Sequence, residues 1–137
     1  MNIQKVILVP GLLAGLALSP TIFAAGVDSA LDKYRAEGGT NFSAIAGEDM
    51  WKRNVLSAKD NKMHNCGNCH TNNLTQTGKH HRTKKAIKPM AISANSARYT
   101  KVKKIEKWFK RNCKWTWGRE CSPQEKGDLL TYMINYK

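Results

Sequence analysis

The feature that most constrains this chain is the segment Cys66-Gly67-Asn68-Cys69-His70. The two cysteines are separated by about one helical turn, so both thiols can face the same partner. A histidine directly after the second cysteine completes C-x-x-C-H, a pattern typical of covalent attachment of a c-type haem. In that arrangement the thiols bind the haem and the imidazole ligates the iron. The segment therefore predicts one covalently bound haem c, attached to Cys66 and Cys69 and ligated by His70.

Two other uses of a C-x-x-C pair are a redox-active dithiol and half of a zinc site. Neither requires a histidine directly after the second cysteine. The sequence also contains no second C-x-x-C pair that would complete a four-cysteine zinc site. Both alternatives are therefore weaker than haem attachment.

The N-terminus has the pattern of an export signal. Lys5 precedes an apolar run over residues 6–18, and the small residues Ala24 and Ala25 follow. We expect residues 1–25 to be a cleaved signal peptide and residues 26–137 to form one monohaem domain. A retained membrane anchor is the alternative, but the apolar run is short for a bilayer. The predicted location is the periplasm, without stable membrane insertion after cleavage.

Two cysteines remain after haem attachment, Cys113 and Cys121. In an oxidising compartment a disulfide between them is the simplest prediction. Two unpaired thiols are the alternative, which export makes less favourable.

Positive charge is concentrated in one block of the chain. Residues 79–119 contain 14 Lys and Arg residues and one acid, Glu106, which gives a net charge of +13. Because export makes nucleic acid an improbable partner, the block favours docking of an acidic redox protein. A solvated helix face would also explain any single lysine.

Apolar periodicity predicts a small all-α fold. A first helix is expected over 27–37, and a second should begin at Asn41 or Ser43, with Gly47 at a close helix crossing. Five apolar residues are expected along one side of the second helix: Ile45, Met50, Trp51, Val55 and Leu56. Residues 71–97 show no strong period and are predicted to form a long loop around the cofactor.

Two more helices are predicted near the C-terminus. The third covers 97–108, with Trp108 in its apolar stripe and Asn112 on the buried side near its end. Ser122 and Glu125 form a capping-box pattern that begins the last helix.

The sixth iron ligand decides the function, and the sequence offers several candidates. Met90 lies in a loop, as the ligand of an electron-transfer cytochrome usually does. His80 and His81 could ligate instead, but they lie in a basic segment expected to be exposed. Met133 is expected in the core, and Asn112 is the unusual candidate. Spacing alone ranks Met90 first, the histidines second and Asn112 last.

Three further segments resemble the SHP family (sphaeroides haem protein) of oxygen-binding c-type cytochromes. They are Arg111-Asn112-Cys113, residues 118–123 and residues 125–130. Residues 47–51, 66–70 and 105–108 agree with the same family, so the resemblance spans roughly 45–135.

The resemblance implies a class I cytochrome c-like fold. It also implies iron ligation by His70 and Asn112 in the oxidised state and a Cys113–Cys121 disulfide. A carboxamide oxygen suits Fe(III) better than the softer Fe(II). Reduction is therefore expected to open the site to O2, NO or CO, a binding function rather than an enzymatic one.

The resemblance also implies partners, namely a dihaem cytochrome c and a membrane cytochrome b. Met90 departs from the family, which has an ordinary apolar residue there. A conventional electron carrier ligated by Met90, His80 or His81 therefore stays open as the alternative.

Overall fold

The computed structural model describes residues 22–137, so almost all of the predicted signal peptide, residues 1–25, lies outside the described residues. The helices are α1 (Ile22–Ala36), α2 (Ala44–Lys52), α3 (Gly67–His70), α4 (Val102–Thr116) and α5 (Pro123–Asn135). The strands are β1 (Val55–Leu56), β2 (Met63–His64), β3 (Gly78–Lys79) and β4 (Ala86–Ile87). The predicted all-α class is confirmed, because every strand is only two residues long.

The four short strands form two antiparallel hairpins. Strand β1 pairs with β2, with Val55 opposite His64. Strand β3 pairs with β4, with Gly78 opposite Ile87. The second hairpin lies inside the segment predicted to be a long loop, so that prediction was wrong for residues 78–87. A two-residue strand is too short to produce a recognisable alternating pattern.

Helix α2 packs closely against α5. A side chain at Gly47 would overlap the backbone of Asp128 and the Cβ of Tyr132, so only glycine fits this crossing. The Asp128 carboxylate is buried and accepts a hydrogen bond from the backbone N–H of Ser43 at 2.7 Å. The close crossing expected at Gly47 is therefore confirmed.

A polar network joins α1, α4 and α5. The fully buried Tyr34 donates its hydroxyl hydrogen to Glu106. Lys126 binds the same carboxylate at 3.1 Å, and Lys33 lies 3.7 Å from it. Burial raises the pKa of the Tyr34 hydroxyl, and the hydrogen bond to Glu106 adds to that effect. The two lysines therefore pair the charge of Glu106, which is the one acid in the basic block of residues 79–119.

The helix boundaries differ from the predictions in three helices. Helix α1 begins at Ile22 rather than at residue 27. Helix α2 begins at the N-cap Ser43, as expected, but it ends at Lys52 rather than continuing through 55–56. Ile45 and Leu56 are exposed and Val55 is half-buried, so only Met50 and Trp51 are buried from the expected apolar side.

Helix α4 begins at Val102 rather than 97 and ends at Thr116 rather than 108, so Asn112 lies within its last two turns. Trp108, expected in the apolar stripe, is 46% exposed. The predicted capping box is confirmed, because Ser122 and Glu125 exchange both of its hydrogen bonds at the start of α5. No helix within residues 22–137 has the length and apolarity needed to cross a membrane.

Candidate functional site

The C-x-x-C-H segment forms a single helical turn. The N–H of His70 donates to the carbonyl of Cys66 at 3.0 Å, and Thr71 donates to Gly67 at 2.9 Å. Helix α3 is anchored from both sides, because Cys66 donates to the Trp51 carbonyl at 3.2 Å and Gly78 packs directly against the Cys69 carbonyl. The turn therefore presents two thiols and an imidazole from a fixed backbone.

This turn opens onto a cavity of about 980 Å³. The wall contains both motif cysteines and His70, together with residues of α4, the β3–β4 hairpin and the loop before α4. Within this wall Asp60 is the only acid, whereas nine residues are Lys or Arg. The cavity lies at the upper end of the size range of small-molecule and cofactor sites.

The chemistry of the three motif side chains fits a covalently attached haem. Cys66 and Cys69 form no disulfide, and burial raises the pKa of the Cys66 thiol to about 12. Burial also lowers the pKa of His70 to about 4, an effect to which the charge of Arg98 adds. A neutral imidazole is the form that ligates a metal. Its Nδ1 atom is buried and makes no hydrogen bond with the described residues.

The Trp51 ring contacts the imidazole on one side. The two ring centroids are 5.6 Å apart, and the indole Nε1 donates to the Thr71 carbonyl at 2.9 Å. Trp51 is 3% exposed. The tryptophan thus connects α2 with the residue directly after His70 and restricts the orientation of the imidazole.

Asn112 is half-buried and lines the same cavity as His70. The next residue, Cys113, is joined to Cys121 by a disulfide, with the Cα atoms 5.7 Å apart. Both of these cysteines are buried. The disulfide ties the last turns of α4 to Cys121, which precedes the N-cap residue Ser122 of α5, so the backbone at Asn112 is braced from one side.

The other candidate ligands also reach this cavity. Met90 is 7% exposed, and its N–H donates to the carbonyl of the fully buried Leu74 at 2.9 Å. The thioether of Met133 accepts a hydrogen bond from the Tyr99 hydroxyl at 3.1 Å, in the core as predicted. The fold therefore brings Met90, Met133, Asn112 and His70 around one cavity without ranking them.

The expectation that both histidines are solvated was wrong for His81. His80 is exposed, but His81 is half-buried and its Nε2 atom is buried without a hydrogen bond. Its ring packs 4.9 Å from the Trp115 ring and 6.0 Å from the His64 ring. Burial and the neighbouring His80 and His64 imidazoles lower the pKa of His81.

Sequence reasoning missed several residues of the cavity wall. His64 is 9% exposed and bonds Asp60 at 3.0 Å. Arg98 and Tyr99 were likewise not singled out. Their roles depend on contacts with residues nine or more positions away, for which one sequence carries no periodic signal.

The fold and the site together define a c-type cytochrome with one covalently bound haem. Residues 37–133 match a family described as a domain of unknown function, DUF1924. The chain is also 34% identical over 133 residues to the cytochrome c-type protein SHP of Cereibacter sphaeroides, covering 94% of this chain and 96% of that protein. The chain therefore belongs to the SHP family of c-type cytochromes, the family that the segment around Asn112 resembles.

Solved structures agree with this assignment. Oxidized cytochrome c'' from Methylophilus methylotrophus superposes with a TM-score of 0.73 at 28% identity, covering 83% of this chain and 97% of that one. Oxidized SHP, described as an oxygen binding cytochrome c, superposes with a TM-score of 0.71 at 33% identity, covering 79% and 95%. In sequence, cytochrome c'' is 39% identical over 69 residues, about half of each chain. The predicted cytochrome c-like fold and haem c cofactor are thereby confirmed.

Proposed function

We propose that the mature protein works in the periplasm as a monohaem cytochrome whose iron is ligated by His70 and Asn112 when oxidised. Reduction would then open the Asn112 side to a diatomic molecule such as O2, NO or CO. The observation that carries this proposal is that Asn112, a half-buried carboxamide on α4, lines the same cavity as His70. The SHP relative, described as an oxygen binding cytochrome c, supports it.

Each residue would contribute separately to that function. Haem iron exchanges one electron and can take a diatomic molecule at an open coordination position. His70 would ligate it as a neutral imidazole, and Cys66 and Cys69 would attach the porphyrin. The Asn112 oxygen is a hard, neutral donor that suits Fe(III) better than Fe(II), so its bond should weaken on reduction. Its NH2 group could then donate a hydrogen bond to the bound molecule.

The disulfide would let Asn112 leave and return without loss of the helix. Because Cys113 is fixed to Cys121, the backbone beside Asn112 stays in place while the side chain changes rotamer. A rotamer change requires far less rearrangement than the melting of a helix end. Plain stabilisation of a small exported domain is a second role of the same bond.

A conventional electron carrier ligated by Met90 is the second candidate. Met90 lines the cavity and is almost fully buried, which is compatible with a thioether ligand. Its backbone is fixed on both sides, because its N–H donates to Leu74 and its carbonyl accepts from Tyr99 at 2.8 Å. Ligation by His80 or His81 belongs to the same class of function.

Absorption spectra of matched variants separate these candidates. Asn112→Ala should change the ferric spectrum strongly, whereas Met90→Leu, which nearly conserves volume, should leave it close to wild type. A methionine-to-iron band in the far red, lost in Met90→Leu and retained in Asn112→Ala, would instead establish the conventional carrier.

The partner we propose is an acidic redox protein, namely a dihaem cytochrome c, together with a membrane cytochrome b. Nine basic residues against Asp60 alone around the cavity would attract such a protein and orient it. Attraction of this kind is screened by salt, with a Debye length of about 10 Å at 0.1 M. The rate of electron transfer should therefore fall steeply with ionic strength. A rate that is insensitive to salt would refute the electrostatic docking.

A further inference from the structure

Arg98 differs from the other basic residues around the cavity because its side chain is half-buried and fixed. Its Nε donates to the carbonyl of Pro89 at 2.5 Å, and one terminal nitrogen donates to the carbonyl of Lys88 at 2.5 Å. Asn95 donates to the same Pro89 carbonyl at 3.2 Å. These bonds hold the guanidinium against the loop that carries Met90.

That loop is in turn tied to the segment after His70. The N–H groups of Met90 and Ala91 both donate to the carbonyl of Leu74, each at 2.9 Å. Leu74 follows His70 by four residues and is fully buried. The Arg98 guanidinium is therefore bonded to the loop that carries Met90, and this loop is bonded to the segment after His70. Both Arg98 and His70 line the cavity.

The charge of Arg98 has no carboxylate partner among residues 22–137. Every acid that forms an ion pair there does so with another residue, and the one acid in the cavity wall, Asp60, pairs with His64. A partly buried charge is also screened by salt much less than an exposed one.

We infer that Arg98 raises the reduction potential of this cytochrome, because its half-buried guanidinium, fixed in the wall of the cavity that also contains His70, favours the ferrous iron over the more positive ferric iron. This role rests on ligation by His70, as proposed above. Raising the potential would increase the fraction of protein in the reduced state, in which the Asn112 side opens.

Potentiometric titration of the haem-loaded protein tests this role. Arg98→Gln should lower the ferrous-to-ferric ratio about tenfold at the wild-type midpoint, a downward shift of about 59 mV for one electron. Arg98→Lys keeps the charge and should retain most of the potential. Lys101→Gln removes the same charge from an exposed residue of the same cavity wall and should change the ratio little.

Midpoint measurements at several salt concentrations further separate the effect of Arg98 from that of Lys101. The difference between wild type and Arg98→Gln should persist at high ionic strength, whereas any effect of Lys101→Gln should vanish. If Arg98→Gln fails to load haem, Asn95→Asp offers a second test, because its carboxylate beside the shared Pro89 carbonyl should neutralise the guanidinium. That variant is also expected to titrate at a lower potential.

Three outcomes would overturn the role of Arg98. They are an unchanged midpoint in Arg98→Gln, an equal fall in Lys101→Gln, and an equal fall in Arg98→Lys, which would indicate a loop brace rather than a charge effect. The coordination of the reduced iron reports separately on Asn112. A six-coordinate ferrous spectrum would refute the proposed opening while leaving the comparison of midpoints intact.

Discussion

Gly47 of α2 lies directly against the backbone of Asp128 in α5, with no space for a Cβ atom. This crossing also orients α2 so that Trp51, near its end, reaches His70. The packing of α2 against α5 therefore helps to restrict the orientation of the His70 imidazole.

We expect Gly47→Ala to lower the free energy of unfolding by about 1–3 kcal/mol, because the added methyl group must push the two helices apart. Denaturant unfolding of the haem-loaded protein measures this. Asp49→Ala, an exposed position of the same helix, is the matched control and should change stability by less than about 0.5 kcal/mol. Equal stability of Gly47→Ala and wild type would show that α2 and α5 can move apart without loss of stability.

Glu106 should make stability depend on pH in the acid range. Burial raises its pKa, but hydrogen bonds from Tyr34 and Lys126 and the nearby lysine charges outweigh that effect and hold the pKa below the usual 4.5. Because the folded-state pKa is depressed, its contribution is complete above pH 4.5 and is lost as pH falls through the folded value.

Glu106→Gln should therefore be less stable than wild type at pH 7, and the difference should shrink on acidification below pH 4.5. Unfolding curves at several pH values measure it. Glu37→Gln removes an exposed ion pair with Lys33 and serves as the control, with an expected change below about 1 kcal/mol. A difference that stays constant across the acid range would contradict the paired state of Glu106.

Replacing the disulfide should destabilise the domain and loosen the Asn112 side. The bond closes a loop with a sequence separation of 8, for which the chain-entropy description gives about 2.5 kcal/mol. The double variant Cys113→Ser/Cys121→Ser should lose about that much stability, and its ferric spectrum should change at a lower temperature than unfolding begins. Ser122→Ala weakens the neighbouring cap but leaves the disulfide, so it should lower stability without the early spectral change. Identical behaviour of the two variants would limit the disulfide to a structural role.

Local signals in the sequence were enough for the cofactor and most helices. The C-x-x-C-H segment predicted the haem, Ser122 and Glu125 predicted the start of α5, and Gly47 predicted a close crossing. Each of these depends on residues within a few positions of one another, so the physical cause is present in the sequence itself.

Long-range contacts account for what could not be predicted. The burial of His81 depends on Trp115, 34 residues later, and the fixed position of Arg98 depends on the carbonyls of Lys88 and Pro89. Spacing ranked Asn112 last among the candidate ligands. Asn112 reaches the cavity through the packing of α4, which the spacing of residues along the sequence does not reveal. Only the family resemblance raised it to first.

The most direct test of the central claim is the absorption spectrum of the reduced protein before and after exposure to carbon monoxide. If Asn112 ligates the oxidised iron and leaves on reduction, the ferrous haem should be five-coordinate and high-spin, and carbon monoxide should bind readily. A ferrous spectrum that is six-coordinate, low-spin and unchanged by carbon monoxide would contradict that account.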